Sequence, residues 1–277
     1  MRSARQFIQL PVLMCIGIIA AAGATAVAAT ETEISAVPPH VLQRPSGFQA
    51  GETLTYSVSW SRLVTAGVLT TEVREEKLPD GREGLLFFVT GSSTGLLDAV
   101  FPVHDTVRAL FDPVNNVSLS YLLTENYGTK KRRRIVQFDR ANNSVLTRLN
   151  DDQPETLSVP EKTLDALTLL YVLRLQEGYS ESKTFAVPIH DSGKIWSVEI
   201  QTLGKEHIET PAGEFSTIKI RTYPRYKGEF MNKGVVVIWL TDDARKIPVL
   251  AKSTLKVGSF VITLTDIKSQ QDSKKTN

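Results

Sequence analysis

The chain has 277 residues, and its 32 Lys and Arg nearly balance its 30 Asp and Glu. The excess of two cations belongs to Arg2 and Arg5 at the start of the chain, so the remainder is neutral. A neutral chain is a poor candidate for general nucleic-acid binding, which needs a basic surface. The single cysteine, Cys15, lies in the same N-terminal segment, so the rest of the chain has no disulfide or thiolate chemistry.

The N-terminus has the pattern of a secretory signal peptide. Two arginines precede an apolar stretch that ends in small residues, which predicts that residues 1–28 are removed by cleavage after Ala28 or Ala29. We therefore expect a periplasmic protein of a Gram-negative type of envelope; the alternative is an uncleaved signal that anchors the protein to the inner membrane. Residues 29–46 are Pro-rich and predict an extended leader, and residues 268–277 predict a disordered tail.

Between these segments, residues 47–267 predict a single β-rich domain. "ETLTYSVSW" alternates apolar and polar residues, and "KGVVVIWL" is a continuous apolar run, typical of a strand buried on both faces. Turn sequences such as "LPDGRE", "DRANNS" and "KVGS" separate about a dozen such runs. The short links favour a mainly β fold, either a curved antiparallel sheet or an open or closed β-barrel-like sheet.

One segment, "PEKTLDALTLLYVLRLQEG", predicts a helix over about residues 163–176, with Thr163 as candidate N-cap and Gly178 just past its end. The helix is apolar on nearly every side, so we expect it to be buried against the concave side of the sheet. It either fills the core or lines, together with the sheet, a pocket for a lipid-like or other apolar ligand. The candidate ligand contacts are large groups that suit an ordinary core equally well: Tyr56, Trp60, Leu167, Tyr171 and Trp239.

Few motifs indicate chemistry. "GSSTG", from Gly91 to Gly95, matches the G-x-S-x-G elbow with Ser93 as nucleophile, and Asp191 and His207 follow in the expected acid-then-base order. That elbow belongs to a parallel α/β sheet, which needs many more helices, so a serine hydrolase is the remote alternative. The histidines show no metal-ligand spacing and no phosphate loop is visible, so we expect no metal and no cofactor.

A row of cations stands in "GTKKRRRIVQF": Lys130, Lys131, Arg132, Arg133 and Arg134. In an extended strand these side chains point to both faces, which indicates that this end of a hairpin projects beyond the core into water. The row is either a solvated strand end that blocks edge-to-edge aggregation or a contact patch for anionic lipid headgroups or an acidic envelope protein. Nucleic acid is not an expected partner, because the remainder of the chain is neutral and the signal predicts export.

Four segments follow one another along the chain as ordered signatures. "GETLTYSVSWSRLVTAGVLTTEV" matches G-E-x-L-x-Y…W…A-G, and "TLDALTLLYVLRL" matches a D-x-x-S-x-x-Y-x-x-R helix with Thr168 in place of Ser. "TPAGEFSTIKI" and "VVVIWLTDDARKIPVLAKSTLKVGSFVITL" match a P-x-G-x-F turn and a W-L-x-D-D-x-R-x-x-P-V strand pair. Over about residues 47–267, the chain thus resembles the bacterial exported proteins called the domain of unknown function 3108 family.

The resemblance implies an exported, β-rich protein with no assigned reaction and no catalytic residues. It also implies a broad similarity to the open-barrel lipoprotein carriers, in which a curved sheet holds acyl chains; this is an analogy of fold, and fold does not fix function. We therefore expect a non-catalytic envelope protein that binds an apolar ligand between sheet and helix. The alternative is a packed interaction module that docks through the basic hairpin, on an anionic membrane surface or an acidic envelope protein.

Overall fold

The computed structural model of the protein describes residues 47–60, 64–100, 102–180, 184–230, 235–255 and 258–269. The predicted signal peptide, the leader and most of the predicted tail lie outside these residues. The described elements, in chain order, are β1 (Thr53–Trp60), β2 (Val64–Lys77), β3 (Glu83–Ser93), α1 (Gly95–Val100), β4 (His104–Asp112), β5 (Val117–Tyr127), β6 (Lys130–Asp139), β7 (Ser144–Leu149), β8 (Glu155–Ser158), β9 (Leu164–Asp165), α2 (Ala166–Leu175), β10 (Thr184–Asp191), β11 (Lys194–Thr210), β12 (Gly213–Tyr226), β13 (Glu229–Phe230), β14 (Val236–Thr241), β15 (Pro248–Leu255) and β16 (Gly258–Lys268).

All of these strands belong to one sheet. Its path runs from β8 in reverse chain order to β1, continues through β16, β15, β14, β12, β11 and β10, and ends at β9, with β13 attached to β12. Neighbouring strands are antiparallel, apart from the short parallel pair of β9 with β10. The predicted mainly β fold with a curved antiparallel sheet is confirmed. The strands outnumber the predicted dozen because β8, β9 and β13 have only two to four residues, too few to show alternation.

Side chains of strands near the two ends of the sheet path contact each other. The Thr147 hydroxyl on β7 lies 3.2 Å from Nε2 of His190 on β10. On β6, the strand next to β7, Nη1 of Arg134 lies 3.6 Å from a carboxylate oxygen of Asp191 on β10. Because side chains make these contacts, without a backbone ladder between β7 and β10, the sheet is open although it curls around its own interior.

Helix α2 lies inside this curl and is shorter than the predicted 163–176. Its N-cap is Asp165 rather than Thr163, with one carboxylate oxygen accepting the N–H groups of Leu167 and Thr168 at 2.9 and 2.8 Å. The reason for the difference is that Leu164 and Asp165 are extended and pair with β10. The helix therefore begins only after this pairing ends.

Strand direction defines two ends of the sheet. β1 ends at Trp60, and because neighbouring strands are antiparallel, the β5–β6 turn (127–130) and the β12–β13 turn (226–229) lie at the same end, which we call the rim. At the opposite end, which we call the base, Glu52 precedes β1 and residues 242–247 join β14 to β15. No helix in the described ranges is long and apolar enough to cross a membrane.

Candidate functional site

A cavity of about 130 Å³ lies between α2 and the concave face of the sheet. Two hydrophobic clusters meet here, one including Tyr56 and Tyr171 and the other including Leu169 and Ile189. The lining is mostly aliphatic and aromatic: Leu54, Tyr56, Leu69, Thr71, Ala166, Leu167, Leu169, Leu170, Tyr171, Arg174, Ile189, Val198, Thr222, Pro224, Val236, Ile238, Pro248, Leu250, Ala251 and Ile262. The interior therefore contains open apolar space at the junction of its two clusters.

The size of the cavity limits what it can enclose. An apolar protein cavity of roughly 150 Å³ can hold one benzene molecule. By that standard the space takes about six carbon atoms, which is a short stretch of a single alkyl chain or one ring. The rest of any longer molecule would have to extend beyond the cavity.

Arg174 closes the base end of the cavity, where its side chain is only 2% exposed. Its Nη1 and Nη2 atoms donate to the two carboxylate oxygens of Glu52 at 2.6 and 2.7 Å. Nη2 also donates to the Gly47 carbonyl at 2.6 Å, and Nε to the Arg245 carbonyl at 3.0 Å. Burial works to lower the pKa of Arg174, but the hydrogen bonds and charge of Glu52, with smaller contributions from Tyr171 and Tyr56, raise the pKa overall. The guanidinium is thus charged, and Glu52 neutralises it.

Two tyrosines stand beside this ion pair. The Tyr171 ring stacks on Phe87 with centroids 3.7 Å apart and meets Phe48 edge-on at 5.1 Å. Burial raises the pKa of Tyr56 and that of Tyr171, although the nearby charge of Arg174 works to lower both. Both phenols are therefore neutral at physiological pH. The cavity thus combines a neutral polar end with apolar walls.

Three of the five predicted ligand contacts, Tyr56, Leu167 and Tyr171, line this cavity. Trp60 lies elsewhere: it keeps the inward parity of Tyr56 and Val58, but as the last residue of β1 it extends beyond the core and is 46% exposed at the rim. Alternation along a strand predicts the face of a side chain, but not whether the core reaches that far along the strand.

Trp239 is buried, but it faces away from the cavity. Its β14 neighbour Ile238 lines the cavity, so Trp239 points to the opposite side of the sheet. There its indole N–H donates to Glu206, and the ammonium groups of Lys219 and Lys252 lie 5.0 and 4.7 Å from its ring centre. A continuous apolar run does not reveal which of its faces contacts the helix, so the sequence left open whether Trp239 is a ligand contact or ordinary core.

The basic row divides into an exposed part and a buried part. Lys130 to Arg133 are exposed, and Arg132 lies 3.7 Å from Glu125. Arg134 is only 8% exposed, and it pairs with Asp191 inside the curl. Its placement corrects the predicted five-residue contact patch: β6 enters the core at residue 134, so this cation cannot reach an external surface.

The Arg134–Asp191 pair lies beside a buried histidine, His190. Burial, helped by the charge of Arg134, lowers the pKa of His190 to about 4. Burial raises the pKa of Asp191, with Arg134 acting in the opposite direction. His190 is therefore neutral at physiological pH and serves as a hydrogen-bond partner of Thr147 where the sheet ends meet.

The three predicted hydrolase residues have different partners. Ser93 is buried in an antiparallel part of the sheet, where its hydroxyl donates to Asp98 at 2.6 Å and accepts the Val103 N–H at 2.8 Å. His207 is exposed and lies 3.5 Å from Glu214, whereas Asp191 faces Arg134. The short helix α1 follows Ser93, but β3 is antiparallel to both of its neighbours, whereas the elbow motif requires a parallel sheet.

Sequence reasoning missed the convergence at Arg174. Glu52 belongs to the first signature, Arg174 to the helix signature and Arg245 to the last, and all three meet at one guanidinium. A signal was present, because Arg174 is the sole charged side chain in the helix "ALTLLYVLRL" and a buried charge needs a partner. Nothing in the sequence indicated that the partner lies more than a hundred residues away.

The fold and the site define a class of protein: one strongly curled antiparallel sheet that encloses a helix and an apolar cavity. A family model described as "Protein of unknown function (DUF3108)" matches residues 55–265, and the chain belongs to this family. The resemblance inferred from the four signatures is thus confirmed. Among curated proteins, none matches the chain.

The comparison with solved structures found bacterial proteins, among them the following two. A β-barrel-like protein of the DUF1849 family from Brucella abortus is 9% identical, with a TM-score of 0.53 over 79% of this chain and 97% of the other. At that identity the likeness shows the fold alone. A candidate exported protein with a YmcC-like fold from Bacteroides fragilis is 13% identical, covers 80% and 97% of the two chains, and has a TM-score of 0.32.

Proposed function

We propose that the protein is an exported, non-catalytic binding protein that holds part of a lipid-like or other apolar ligand between α2 and the sheet. The observation that carries the proposal is the cavity of about 130 Å³ with apolar walls. Protein interiors are close-packed and leave few voids larger than a water molecule. An apolar space of this size, between two otherwise packed clusters, suits an apolar guest. Ser93 has no part in the proposal.

The cavity favours an uncharged guest. Glu52 already occupies the guanidinium of Arg174, and the tyrosine hydroxyls nearby are neutral. A carboxylate brought into this space would lose its hydration without gaining an unpaired cation. Export is proposed from the N-terminal pattern of residues 1–28, which suits a protein that meets its ligand in the cell envelope.

The first experiment is native mass spectrometry of the protein purified from the periplasm of an exporting host. We expect a retained mass that leaves on denaturation and is an apolar or lipid-like compound. Titration with straight-chain alkanols of increasing length then measures how many carbon atoms the cavity encloses. Each added methylene should raise affinity about fourfold until roughly six carbons are enclosed, after which the gain should flatten.

A blocked cavity provides the decisive comparison. Leu170 lines the cavity from the helix, so Leu170→Trp should abolish alkanol binding, whereas Val68→Trp, which adds the same side chain at an exposed position, should not. If Leu170→Trp unfolds the protein, Ala251→Leu narrows the cavity from the sheet side. Equal alkanol affinity in the blocked variants and in the native chain would overturn the proposal.

A further inference from the structure

The rim combines exposed apolar side chains with exposed cations. Three of the most exposed large apolar residues in the described ranges lie there: Trp60 at 46%, Val64 at 54% and Phe230 at 42%. They stand at the end of β1, the start of β2 and on β13, all at one end of the sheet. Single exposed apolar residues need no explanation, but several at one end of a fold indicate a contact surface.

The same end carries the exposed part of the basic row. Lys130, Lys131 and Arg133 surround the β5–β6 turn, and none of the ion pairs in the described ranges involves them. β6 is five strands away from β1 along the sheet, which is roughly 24 Å at the usual strand spacing. The cations and the apolar side chains therefore share one end of the protein without covering each other.

From this arrangement we propose that the rim docks on an anionic lipid bilayer. The cations would contact headgroups, and Trp60, Val64 and Phe230 would enter the interfacial layer, where aromatic side chains are favoured. The inference does not depend on the cavity, because the cavity lining and the rim share none of these residues. Under this proposal, Trp60 and the exposed part of the basic row contact the same bilayer, whereas the sequence analysis assigned Trp60 to ligand binding and the basic row to surface contact.

The rim carries acidic side chains as well as cations. Asp151 and Asp152, in the turn after β7, are exposed at the same end, as is Glu229 on β13. Exposed cations therefore lie in the β5–β6 turn and, at Lys227, in the β12–β13 turn. Replacing Asp151 and Asp152 with asparagine should strengthen docking, and added salt should weaken it by screening the exposed charges.

Vesicle binding tests the proposal on the exported protein, with its N-terminus defined by intact mass. We expect co-sedimentation with phosphatidylcholine vesicles that contain phosphatidylglycerol, and little with phosphatidylcholine alone. Changing Lys130, Lys131 and Arg133 to glutamate should reduce binding at least about tenfold. The matched control changes Lys77, Lys162 and Lys205 to glutamate, which shifts the net charge equally but away from the rim.

Tryptophan fluorescence reports the apolar contact independently. Trp196 and Trp239 are 3% and 4% exposed, so a blue shift on vesicle binding should come from Trp60 and vanish in Trp60→Phe. Equal losses in the two charge-reversed proteins, no binding to either vesicle, or binding without a shift from Trp60 would each overturn the proposal. Loss of alkanol binding with vesicle binding intact would instead count against the cavity alone.

Discussion

The base and the rim of the sheet differ in what their charged side chains contact. At the base, charged groups are paired: buried Arg174 bonds to Glu52 and two carbonyls, and exposed Arg82 bonds to buried Asp112. At the rim, cations and apolar side chains are turned outward, and Lys130 and Lys131 make none of the described ion pairs. The ordered signatures of the family converge on the base. We therefore expect those segments to contribute more to stability than the rim, where we propose the contact with the bilayer.

The substitution Arg174→Met tests how much the buried ion pair at the base contributes to stability, and it has the largest expected effect. It leaves the Glu52 carboxylate buried without its partner, so we expect a loss of about 3–5 kcal/mol in the free energy of unfolding. Urea denaturation measures it. The double variant Glu52→Gln with Arg174→Met removes both charges and should recover part of the loss. A loss of under about 1 kcal/mol would mean that the pair does not hold the base together.

The second prediction concerns pH and the buried histidine. The pKa of His190 falls from 6.5 to about 4 on folding, so between these values the unfolded chain binds a proton more readily. This difference lowers the free energy of unfolding as pH falls from 6.5 towards 4, by up to about 3 kcal/mol, and has no effect above pH 6.5.

The raised pKa of Asp191 and that of Asp165 act in the opposite sense, since their protonation at low pH favours the folded state. Arg134 and Glu125 also face this region. The effect of His190 is therefore read as a difference between the native chain and His190→Gln over the same pH range. Identical pH profiles for the two proteins would contradict the prediction.

The helix cap should matter somewhat less. Asp165 accepts two helix N–H groups and the hydroxyls of Ser118 and Thr168, both at 2.6 Å. Replacing it with alanine should cost about 2 kcal/mol. Thermal and urea unfolding measure the loss, with Glu161→Ala, at an exposed position nearby, as the control. Equal effects of the two substitutions would show that the cap contributes little.

The smallest effect is expected at the rim. Lys131→Glu and Trp60→Thr change exposed side chains at the ends of their strands, so each should alter the free energy of unfolding by less than about 0.5 kcal/mol. The same variants should change vesicle binding, which separates a contact role from a stabilising one. A large loss of stability in either variant would place the rim with the base as a structural element.

Several features were readable from the sequence because they depend on local pattern. Period-2 alternation in "ETLTYSVSW" predicted β1, and the apolar run "ALTLLYVLRL" predicted a buried helix. The N-cap was misplaced because Thr163 and Asp165 are both acceptable caps, and only the pairing of β9 with β10 decides between them. Of the predicted ligand contacts, Tyr56 and Tyr171 line the cavity, whereas Trp239 lies on the opposite face of the sheet.

The sequence by itself determined the mainly β class, the buried helix α2 and the family, because propensity, alternation and ordered signatures are properties of neighbouring residues. Only the tertiary structure decided that Glu52 and Arg245 meet at Arg174, that Arg134 is buried, and that Trp60 and the basic row share one end. The physical reason is that these relations depend on strand order, curvature and the reach of the core. Those properties arise from contacts between residues far apart in the chain, which no local pattern records.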